Sequence, residues 1–538
     1  MRLLLCVIIV ATSFSLFGAW DWAHTVGGAG MERIWDISAD AQSNIYAAGD
    51  FTDTLWVNGT AYQGFGLSDS FVIKYSPNGE VLWAKSFGSS GEDTALSVGC
   101  DAAGNCYVAG YFVETFTCQN LSVESYGMWD AYLLKLDPQG NILWLRSFGG
   151  PLNDIGYGLS VTSSGRVYVA GWFADTIQFT SSCSIVSAGG SDVFCCAWEA
   201  DGSFAWAKRG GMEGVEYGFE VACDEAGNAY VTGVAGAGSQ FGDYILSGNG
   251  MFLCKYNSLG EVQWLSSSQG AGVIDIAIQP DASAIQYGLV CGRLTGAGAI
   301  GGYSFNTPGG SDDAYWAKFD ASTGTWLNMQ YYGGTASDKG KDCDCEGSSA
   351  FLASFEEQAD FGGINFSSNG GSDVLLGYGN LGSMQFITAG GEDDEIPTSL
   401  KIMPNGCIAI AGWHFGSCQF GSHTIDSNHT ANQNAFVACF NPQSSVEDLV
   451  IAQQSIAASP NPFYNNLQIS CSKGSATNNQ VVIFNLRGQI IRRLSPASVT
   501  DREMIYLWDG KDATGSSCST GVYIVKGAIA TTKALKLK

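Results

Sequence analysis

The stretch "DAYLLKLDPQGNILWLRSFGG", Asp130–Gly150, is nearly a second copy of an earlier stretch of the chain. "DSFVIKYSPNGEVLWAKSFGS" occupies Asp69–Ser89. Both place an acid before a short apolar strand, and a Pro-x-Gly turn, a Trp-bearing strand and Phe-Gly then follow. Self-similarity at a fixed spacing indicates a repeat architecture, which takes precedence over local secondary-structure patterns.

The Trp of the turn-strand marks each copy. It recurs at a nearly constant spacing, and Phe386 stands at the next expected place after the last Trp. In the first four copies a Gly follows its Trp at a constant distance. The markers are Trp22, Trp83, Trp144, Trp206, Trp264 and Trp326, with Gly49, Gly110, Gly171 and Gly233. The spacing predicts about 60 residues per repeat over most of the chain.

Each copy reads as four short antiparallel strands. In the second copy, "WAKSF", "TALSVGC", "CYVAGYF" and "AYLLKL" are separated by turns such as "DAAGN", whose Gly supplies a left-handed position. Four strands per repeat indicate propeller blades rather than a solenoid. The seventh copy ends at "FVACFNPQ" with no Trp strand after it, and the first begins with an unpartnered one, "WAHTVGG". We therefore expect an all-β, seven-bladed propeller of four-stranded antiparallel blades, closed by the N-terminal strand.

These residues resemble the bacterial seven-bladed propeller (SBBP) repeats. The resemblance rests on "GGSDVF", on strands like "GNVLW" and on the pattern D-x-x-G-N-x-Y-V-x-G, and it covers about residues 20–443. Copies five and six depart from the pattern in "PDASAIQYGLVCG" and "DCEGSSAFLASF". The resemblance implies a fold and no single activity.

The end of the chain, residues 457–538, reads as a small C-terminal β-sandwich of alternating apolar residues and Gly turns. It looks like the sorting domain of the type IX secretion system. The matching residues are Pro460, Asn461, Pro462, Phe484–Gly488, Trp508–Gly510, Gly521, Val522, Tyr523, Lys533, Lys536 and Lys538. The resemblance implies that the outer-membrane secretion machinery is a partner; the alternative is an adhesive sandwich with a basic end.

The chain begins with "MRLLLCVIIVATSFSLFGA", which reads as a secretory signal peptide, although Phe17 sits where a small residue is preferred. We expect domains at 1–19 (signal peptide), 20–443 (propeller), 444–456 (linker) and 457–538 (sandwich). No later stretch is apolar enough for a transmembrane helix. The expected location is secreted or on the outer cell surface. Candidate disulfides are Cys100–Cys106 and Cys471–Cys518.

The charge is strongly uneven. The net charge is -26, but residues 444–538 hold 10 Lys and Arg against 6 Asp and Glu, which leaves 15 against 45 elsewhere. An acidic body repels phosphate backbones, so we expect no nucleic-acid partner.

No catalytic motif is present. The four histidines are His24, His414, His423 and His429, and the chain has no HExxH, G-x-S-x-G or Walker loop. We predict no catalytic residues and no cofactor. His423 and His429 could bind one metal ion, but no third candidate ligand lies at a spacing typical of a metal site. "DCDCEG" resembles the start of a calcium loop, which makes Asp342, Asp344 and Glu346 weak metal candidates; the twelfth position, Ala353, is not Glu.

Two sets of acids recur with the repeat. In a closed ring the first set could form a ligand face near the channel mouth, or each acid could accept backbone N–H groups in its turn. The second set has Gly250 and Asn434 in two of its places, which favours a turn role. The sets are Glu32, Asp93, Asp154, Glu216, Asp275, Asp338 and Asp394, and Asp69, Asp130, Asp192, Asp313 and Asp373.

Aromatic residues follow the Gly marker, where they could form a sugar-stacking rim or pack between blades. They are Phe51, Tyr111, Phe112, Trp172, Phe173 and Trp413. We expect a non-catalytic binding or adhesion module for a glycan or a surface protein. The alternatives are a structural surface or matrix protein, and a carbohydrate-active enzyme with acids converging at the channel.

Overall fold

The computed structural model describes residues 18–279, 286–307, 311–427, 433–444, 456–459, 463–464, 466–472, 481–485, 489–499, 503–526 and 531–537. Within these ranges the chain forms strands and no helix. The chain divides into two bodies, residues 1–444 and 445–538. Since the described chain holds no helix, none crosses a membrane.

The first body is a propeller-type fold built from repeats of four antiparallel strands. The first three repeats are Glu32–Ala39, Ile45–Phe51, Asp69–Tyr75 and Val81–Phe87; Thr94–Cys100, Cys106–Phe112, Asp130–Leu136 and Ile142–Phe148; and Asp154–Val161, Val167–Thr180, Cys183–Trp198 and Phe204–Gly211.

In the later repeats one long strand, Val262–Ile278, closes the fourth repeat and opens the fifth. The strands of the fourth to sixth repeats, together with the hairpin of Ser417–Phe420 and His423–Asp426, form one 14-stranded sheet. The remaining strands are Tyr217–Cys223, Ala229–Ala235, Gly250–Tyr256, Val262–Ile278, Tyr287–Ile300, Asp312–Asp320, Trp326–Gly334, Lys339–Asp344, Ser349–Phe361, Ile364–Asn380, Ser383–Gly391, Glu395–Ile402, Ile408–His414 and Asn434–Asn441.

The N-terminal strand Ala19–Gly28 pairs antiparallel with Asn434–Asn441, the third strand of the last repeat. It therefore supplies the fourth strand that the last repeat lacks in sequence. Short outer hairpins complete the body: Thr54–Val57, Thr60–Gln63, Thr115–Cys118, Leu121–Glu124, Gln240–Phe241, Tyr244–Ile245, Tyr303–Asn306, Ser417–Phe420 and His423–Asp426.

Because the strands are antiparallel, the tight turns and the longer connections lie at opposite ends of the strands. Tight turns such as 40–44 and 137–141 join the first to the second strand and the third to the fourth, so they share one side, here called the turn face. The longer connections, such as 113–129 and 149–153, lie at the opposite strand ends, here called the loop face.

The turns have the chemistry that their sequence predicts. Gly140 adopts φ 78°, and the Asp137 carboxylate accepts the N–H groups of Gln139 and Asn141 at 2.9 and 2.8 Å. A Cβ on Gly140 would lie 2.9 Å from the ring of Trp83 in the preceding repeat. The turn Gly is thus needed both for its left-handed backbone and for contact between repeats.

The second body contains two four-stranded antiparallel sheets. One holds Ile456–Ser459, Leu467–Ser472, Ser498–Val499 and Glu503–Trp508, and the other Val481–Asn485, Ile490–Leu494, Gly521–Lys526 and Thr531–Lys536. Buried side chains of both sheets pack together in one core that includes Ile469, Trp508, Ile483 and Val525.

The expected disulfide Cys100–Cys106 is not formed. The two residues are direct partners in the register of their hairpin, but both are free thiols. Cys518 is also free, and the side chain of Cys471 lies outside the described residues. Most of the other cysteines are buried among apolar side chains and belong to the hydrophobic core.

Candidate binding site in the channel

The first strands of the repeats, here called the inner strands, frame a channel. Two cavities occupy it, and residues from all seven inner strands line both. The cavity on the loop face has a volume of about 530 Å³, and the cavity on the turn face about 450 Å³. The inner strands are Glu32–Ala39, Thr94–Cys100, Asp154–Val161, Tyr217–Cys223, the second half of Val262–Ile278, Lys339–Asp344 and Glu395–Ile402.

Every inner strand carries a β-bulge at the same register. In the first repeat, Ile34 pairs with Gly49 and Asp36 with Ala48, so Trp35 is the extra residue. A bulge re-aims the side chains beside it, and here the residue after each bulge comes to one level of the channel, called the waist. The waist residues are Asp36, Ser97, Gly158, Glu220, Asp275, Asp342 and Ser399.

Waist side chains join neighbouring repeats. At five positions the side chain accepts the backbone N–H of the residue that follows the waist position in the next repeat. The last of these bonds links the last repeat to the first. The pairs are Asp36 with Val98 (2.8 Å), Ser97 with Leu159 (3.1 Å), Asp275 with Cys343 (3.0 Å), Asp342 with Leu400 (2.5 Å) and Ser399 with Ile37 (3.2 Å).

Gly158 has no side chain, so the bond from the third repeat to the fourth is missing from this series. Glu220 of the fourth repeat bonds back to the third repeat instead. A Cβ on Gly158 would lie 2.3 Å from Glu220 Oε1, so the missing side chain makes room for the longer acid. The Glu220 carboxylate accepts the N–H groups of Leu159 and Val221. Glu220 thus bridges the third repeat to its own.

The waist is more acidic than this bonding requires. Ser97 and Ser399 accept the same backbone N–H as well as a carboxylate does, so hydroxyls would suffice at the other positions. Four carboxyl groups nevertheless occur: Asp36, Glu220, Asp275 and Asp342. They line both cavities and are therefore available to a ligand from either side.

Burial governs the ionisation of these acids. It raises the pKa of Asp36 to about 6, against the hydrogen bonds from Val98, Ser97 and Ser399. Burial and the charge of Asp275 raise the pKa of Glu220 and of Asp342 well above the usual range. Burial also raises the pKa of Asp275, and interaction with the Asp342 carboxyl partly opposes that rise.

An aromatic arc surrounds the mouth of the loop-face cavity. The bulged residues Trp35, Tyr157 and Phe219 line it, together with Trp413. Trp35 packs edge-on against Trp413 at 5.2 Å between ring centroids, and Tyr157 against Phe219 at 5.8 Å. Trp35, Phe219 and Trp413 are half-buried and Tyr157 is exposed, so part of each ring faces the cavity.

Cations occupy the other side of the mouth. Arg293, Lys339 and Lys341 line the loop-face cavity on the fifth and sixth repeats. Burial and the neighbouring charges of Lys339 and Arg293 lower the pKa of Lys341 to about 8. The mouth therefore combines aromatic faces, three basic groups and a carboxylate floor, which suits a polar organic ligand with an acidic substituent.

Of the two roles that the sequence left open for the first set of acids, the structure favours the turn role. Six acids at this place are at most 1% exposed, and four of them accept the N–H of the residue four positions earlier, which favours the turn role. They are Glu32, Asp93, Asp154, Glu216, Asp338 and, in the last repeat, Glu395. Asp394, predicted for that place, is exposed and accepts Ser372 N at 2.9 Å. Asp275 lies instead at the waist.

Three acids of the second set accept backbone N–H groups in their turns, which agrees with the turn role that the sequence favoured. Asp69 accepts Phe65 N at 2.7 Å, Asp192 accepts Ala188 N at 2.9 Å, and Asp373 accepts Asn369 N at 3.1 Å. Among the aromatics after the Gly marker, Phe51, Phe112 and Phe173 are fully buried, whereas Tyr111, Trp172 and Trp413 are half-buried.

The three calcium candidates have different neighbours. Asp342 points to the waist, whereas Lys401 Nζ lies 2.8 Å from Asp344 and 3.3 Å from Glu346 and takes the place a cation would have. His423 Nε2 is 3.0 Å from the carbonyl of Trp20, and His429 lies outside the described residues. Burial lowers the pKa of His414 to about 4, so it is neutral beside Thr25.

Some of the residues predicted to form a sorting motif lie within the described chain. The Tyr523 hydroxyl donates to Ser519 O at 2.7 Å, Lys536 Nζ donates to Cys518 O at 2.6 Å, and Gly521 begins a strand. Pro460, Asn461 and Pro462 lie outside the described residues, as does the side chain of Lys533.

Sequence reasoning missed the waist. A signal exists, since Asp36, Ser97, Gly158 and Glu220 follow one another at the same period as the repeated Trp. It was hidden because the residue type changes at each step, so that only the register of the strands makes the positions equivalent.

Comparisons with known proteins support no assignment to a family. No family model matches the chain. It is 23% identical over 292 residues to an uncharacterized WD repeat-containing protein of Acanthamoeba polyphaga mimivirus, covering 44% of this chain and 21% of that protein. It is 22% identical over 378 residues to the regulatory protein FlaEY of Caulobacter vibrioides, covering 64% of this chain and 39% of that protein. The chain thus spans less than half the length of either relative.

Similar solved structures are distant. A quinohemoprotein alcohol dehydrogenase from Comamonas testosteroni aligns with a TM-score of 0.36 and 10% identity, over 96% of this chain and 79% of that one. Sqt1 from Chaetomium thermophilum aligns with a TM-score of 0.31 and 10% identity, over 80% of this chain and 100% of that one.

Proposed function

We propose that residues 20–443 form a closed seven-bladed propeller that acts as a non-catalytic binding module, with its ligand site in the loop-face cavity. Two observations support the closed ring: Ala19–Gly28 pairs with Asn434–Asn441, and the Ser399 hydroxyl accepts Ile37 N across the junction of the last and first repeats. A closed ring leaves a fixed channel whose rim can be specialised for a ligand.

The ligand is an acidic glycan. The observation that carries this proposal is the aromatic arc above a carboxylate floor. Aromatic faces stack on the C–H face of a sugar ring, and carboxylates accept its hydroxyl hydrogens. Arg293, Lys339 and Lys341 favour a sugar with a carboxylate or sulfate group. The cavity of about 530 Å³ has the size of an ordinary small-ligand site.

A polysaccharide panel of neutral, uronic-acid and sulfated chains tests this with the full chain. We expect saturable binding to an acidic polysaccharide, weakened at least about tenfold by Trp413→Ala or Tyr157→Ala. Lys339→Gln should reduce the preference for acidic over neutral chains.

Trp56→Ala is the matched control, because Trp56 is 51% exposed and lies on an outer hairpin away from the cavity. Binding that Trp56→Ala weakens as much as Trp413→Ala does would place the site elsewhere. Absence of binding to every polysaccharide would favour a protein partner or a structural role.

Glycoside hydrolysis is the second candidate function. The four waist carboxyls favour it, because paired acids with raised pKa values are what a general acid and its partner require. The same incubations would be assayed for released reducing ends. Release that disappears in Glu220→Gln would establish an enzyme in place of a binding module.

Export to the cell surface completes the proposal, with residues 1–19 as signal peptide and residues 457–538 as the type IX sorting domain. Support comes from the combination of Trp508–Gly510, Gly521, Tyr523 and Lys536. In a bacterium that has this secretion system, the full chain should reach the surface or medium, and a chain ending at residue 456 should stay in the periplasm. Equal export of both chains would contradict this route.

A further inference from the structure

The interface between the fifth and sixth repeats departs from all the others. At each interface we compare two positions. One is the residue opposite the waist on the second strand of a repeat, and the other is the residue after the waist in the next repeat. At the other interfaces these two residues are mostly aliphatic. The equivalent pairs are Ala48 with Val98, Ala109 with Leu159, Ala170 with Val221, Thr232 with Ile276, Leu352 with Leu400 and Ala411 with Ile37. Between repeats five and six, both are cysteines: Cys291 and Cys343.

These thiols meet two waist carboxyls. Asp275 Oδ2 accepts Cys343 N at 3.0 Å and lies 3.4 Å from Cys343 Sγ. One ligand atom each of Asp275, Cys291 and Cys343 lies within 4.8 Å of the others. Asp342 is hydrogen-bonded to the Asp275 carboxyl. Both thiols are at most 3% exposed, whereas Asp275 and Asp342 line both cavities, so the group opens to the channel.

We propose that Cys291, Cys343 and Asp275, with Asp342 as fourth ligand, form a zinc site in the channel wall. Two thiolates and two carboxylates are a donor set that zinc accepts in a tetrahedral site, with bonds of about 2.3 Å to sulfur and about 2.0 Å to oxygen. The ligand atoms of Asp275, Cys291 and Cys343 already lie within 4.8 Å of one another, and a tetrahedral site requires them to move closer together.

Zinc explains why an apolar contact has been replaced. Without an ion, two thiols and two carboxyls crowd in a place where neighbouring repeats pack hydrocarbon. A divalent cation takes the place of the two thiol protons, and it neutralises half of the charge of two thiolates and two carboxylates. The ion would also link strands of two repeats. This inference does not depend on a glycan ligand.

Cobalt titration of the full chain, reduced and freed of metal, tests the site, because Co²⁺ reports thiolate ligands by charge-transfer absorption. We expect one such Co²⁺ per chain, displaced by Zn²⁺. The absorption should be lost in Cys343→Ala and Cys291→Ala, and Asp275→Asn, which keeps both thiols, should weaken Co²⁺ binding more than about tenfold.

Two control variants separate this site from other cysteines. Cys118→Ala removes a buried thiol of the second repeat, and Cys407→Ala removes a thiol grouped with Cys439 and Asp21; both should keep the absorption. The proposal is overturned by reduced wild-type protein without thiolate absorption, or by absorption that survives in Cys291→Ala, Cys343→Ala and Asp275→Asn. Loss in Cys407→Ala alone would also overturn it. Asp275→Asn decides the matter if the cysteine variants fail to fold.

Discussion

The indole Nε1 of Trp83 donates a hydrogen bond of 3.0 Å to the carbonyl of Pro138, 55 residues further along the chain. Trp83 belongs to the last strand of one repeat and Pro138 to a turn of the next. The same bond joins Trp22 to Pro77, Trp144 to Ala200 and Trp206 to Ser258. The repeated Trp and the repeated turn are therefore two halves of one contact between neighbouring repeats.

Trp83→Phe should lower the free energy of unfolding by about 1–2 kcal/mol, because it leaves the Pro138 carbonyl without this donor and thins the packing on Gly140. Trp264→Phe is the matched control, since Trp264 Nε1 has no hydrogen-bond partner. Chemical denaturation of both variants measures the difference. Equal losses would show that ring packing, and not the indole N–H, carries the contact.

Ser399→Ala should destabilise the first body by about 1–3 kcal/mol, because the substitution leaves buried polar groups unpaired. It removes the acceptor of Ile37 N and a donor to Asp36. Thermal unfolding compared with Ser304→Ala, at an exposed position, isolates the effect. An unchanged melting temperature in both variants would mean that the bond between the last and first repeats adds nothing to stability.

Gly158→Ala should cost about 1–3 kcal/mol, since the new Cβ would lie 2.3 Å from Glu220 Oε1 and 2.7 Å from the Glu220 Cα. The side chain of Glu220 can turn away, but its backbone cannot. Gly302→Ala, where an added Cβ meets nothing within 4 Å, is the control. If both variants unfold at the same denaturant concentration, the waist is looser than described.

Stability should fall as pH rises from about 5 to 8. Burial raises the pKa of Asp93 to about 7 and of Glu32 and Asp154 to about 8. The folded chain therefore keeps protons that the unfolded chain, with pKa values of about 4, has lost. The stabilisation is complete below the unfolded values and disappears through the folded ones.

Melting temperatures between pH 5 and pH 8 measure this slope. Asp93→Asn should make it shallower, because the amide has no proton to lose in this range. A melting temperature that increases toward pH 8 would contradict the expected protonation of these turn acids.

The sequence predicted an all-β propeller-type repeat fold because the period, the Trp and the turn Gly report backbone geometry directly. It also favoured the turn role of acids such as Asp69 and Glu216, since recurrence in every repeat indicates architecture. It placed Asp275 in the wrong set because the strand register, and not the spacing alone, determines which residues share a level. The residue type at the bulge differs from repeat to repeat, so the bulges that create the waist have no sequence signature.

The cavity mouth and the pair of thiols could not be predicted from the sequence for a different reason. Trp35, Tyr157 and Trp413 come from strands far apart in the chain, and Cys291 and Cys343 lie on two repeats. Only the arrangement of the repeats brings these side chains together. In a repeat protein, the residues that depart from the pattern are the ones that sequence comparison between copies tends to discard.

The pairing of Ala19–Gly28 with Asn434–Asn441 has a consequence for synthesis. The first strand must wait until nearly the whole of the first body has been made before its neighbour exists. The last sheet of the first body can therefore be completed only after the other repeats have been synthesised. The same pairing joins the two ends of the first body, so loss of this one strand would leave the last repeat with an unpaired edge.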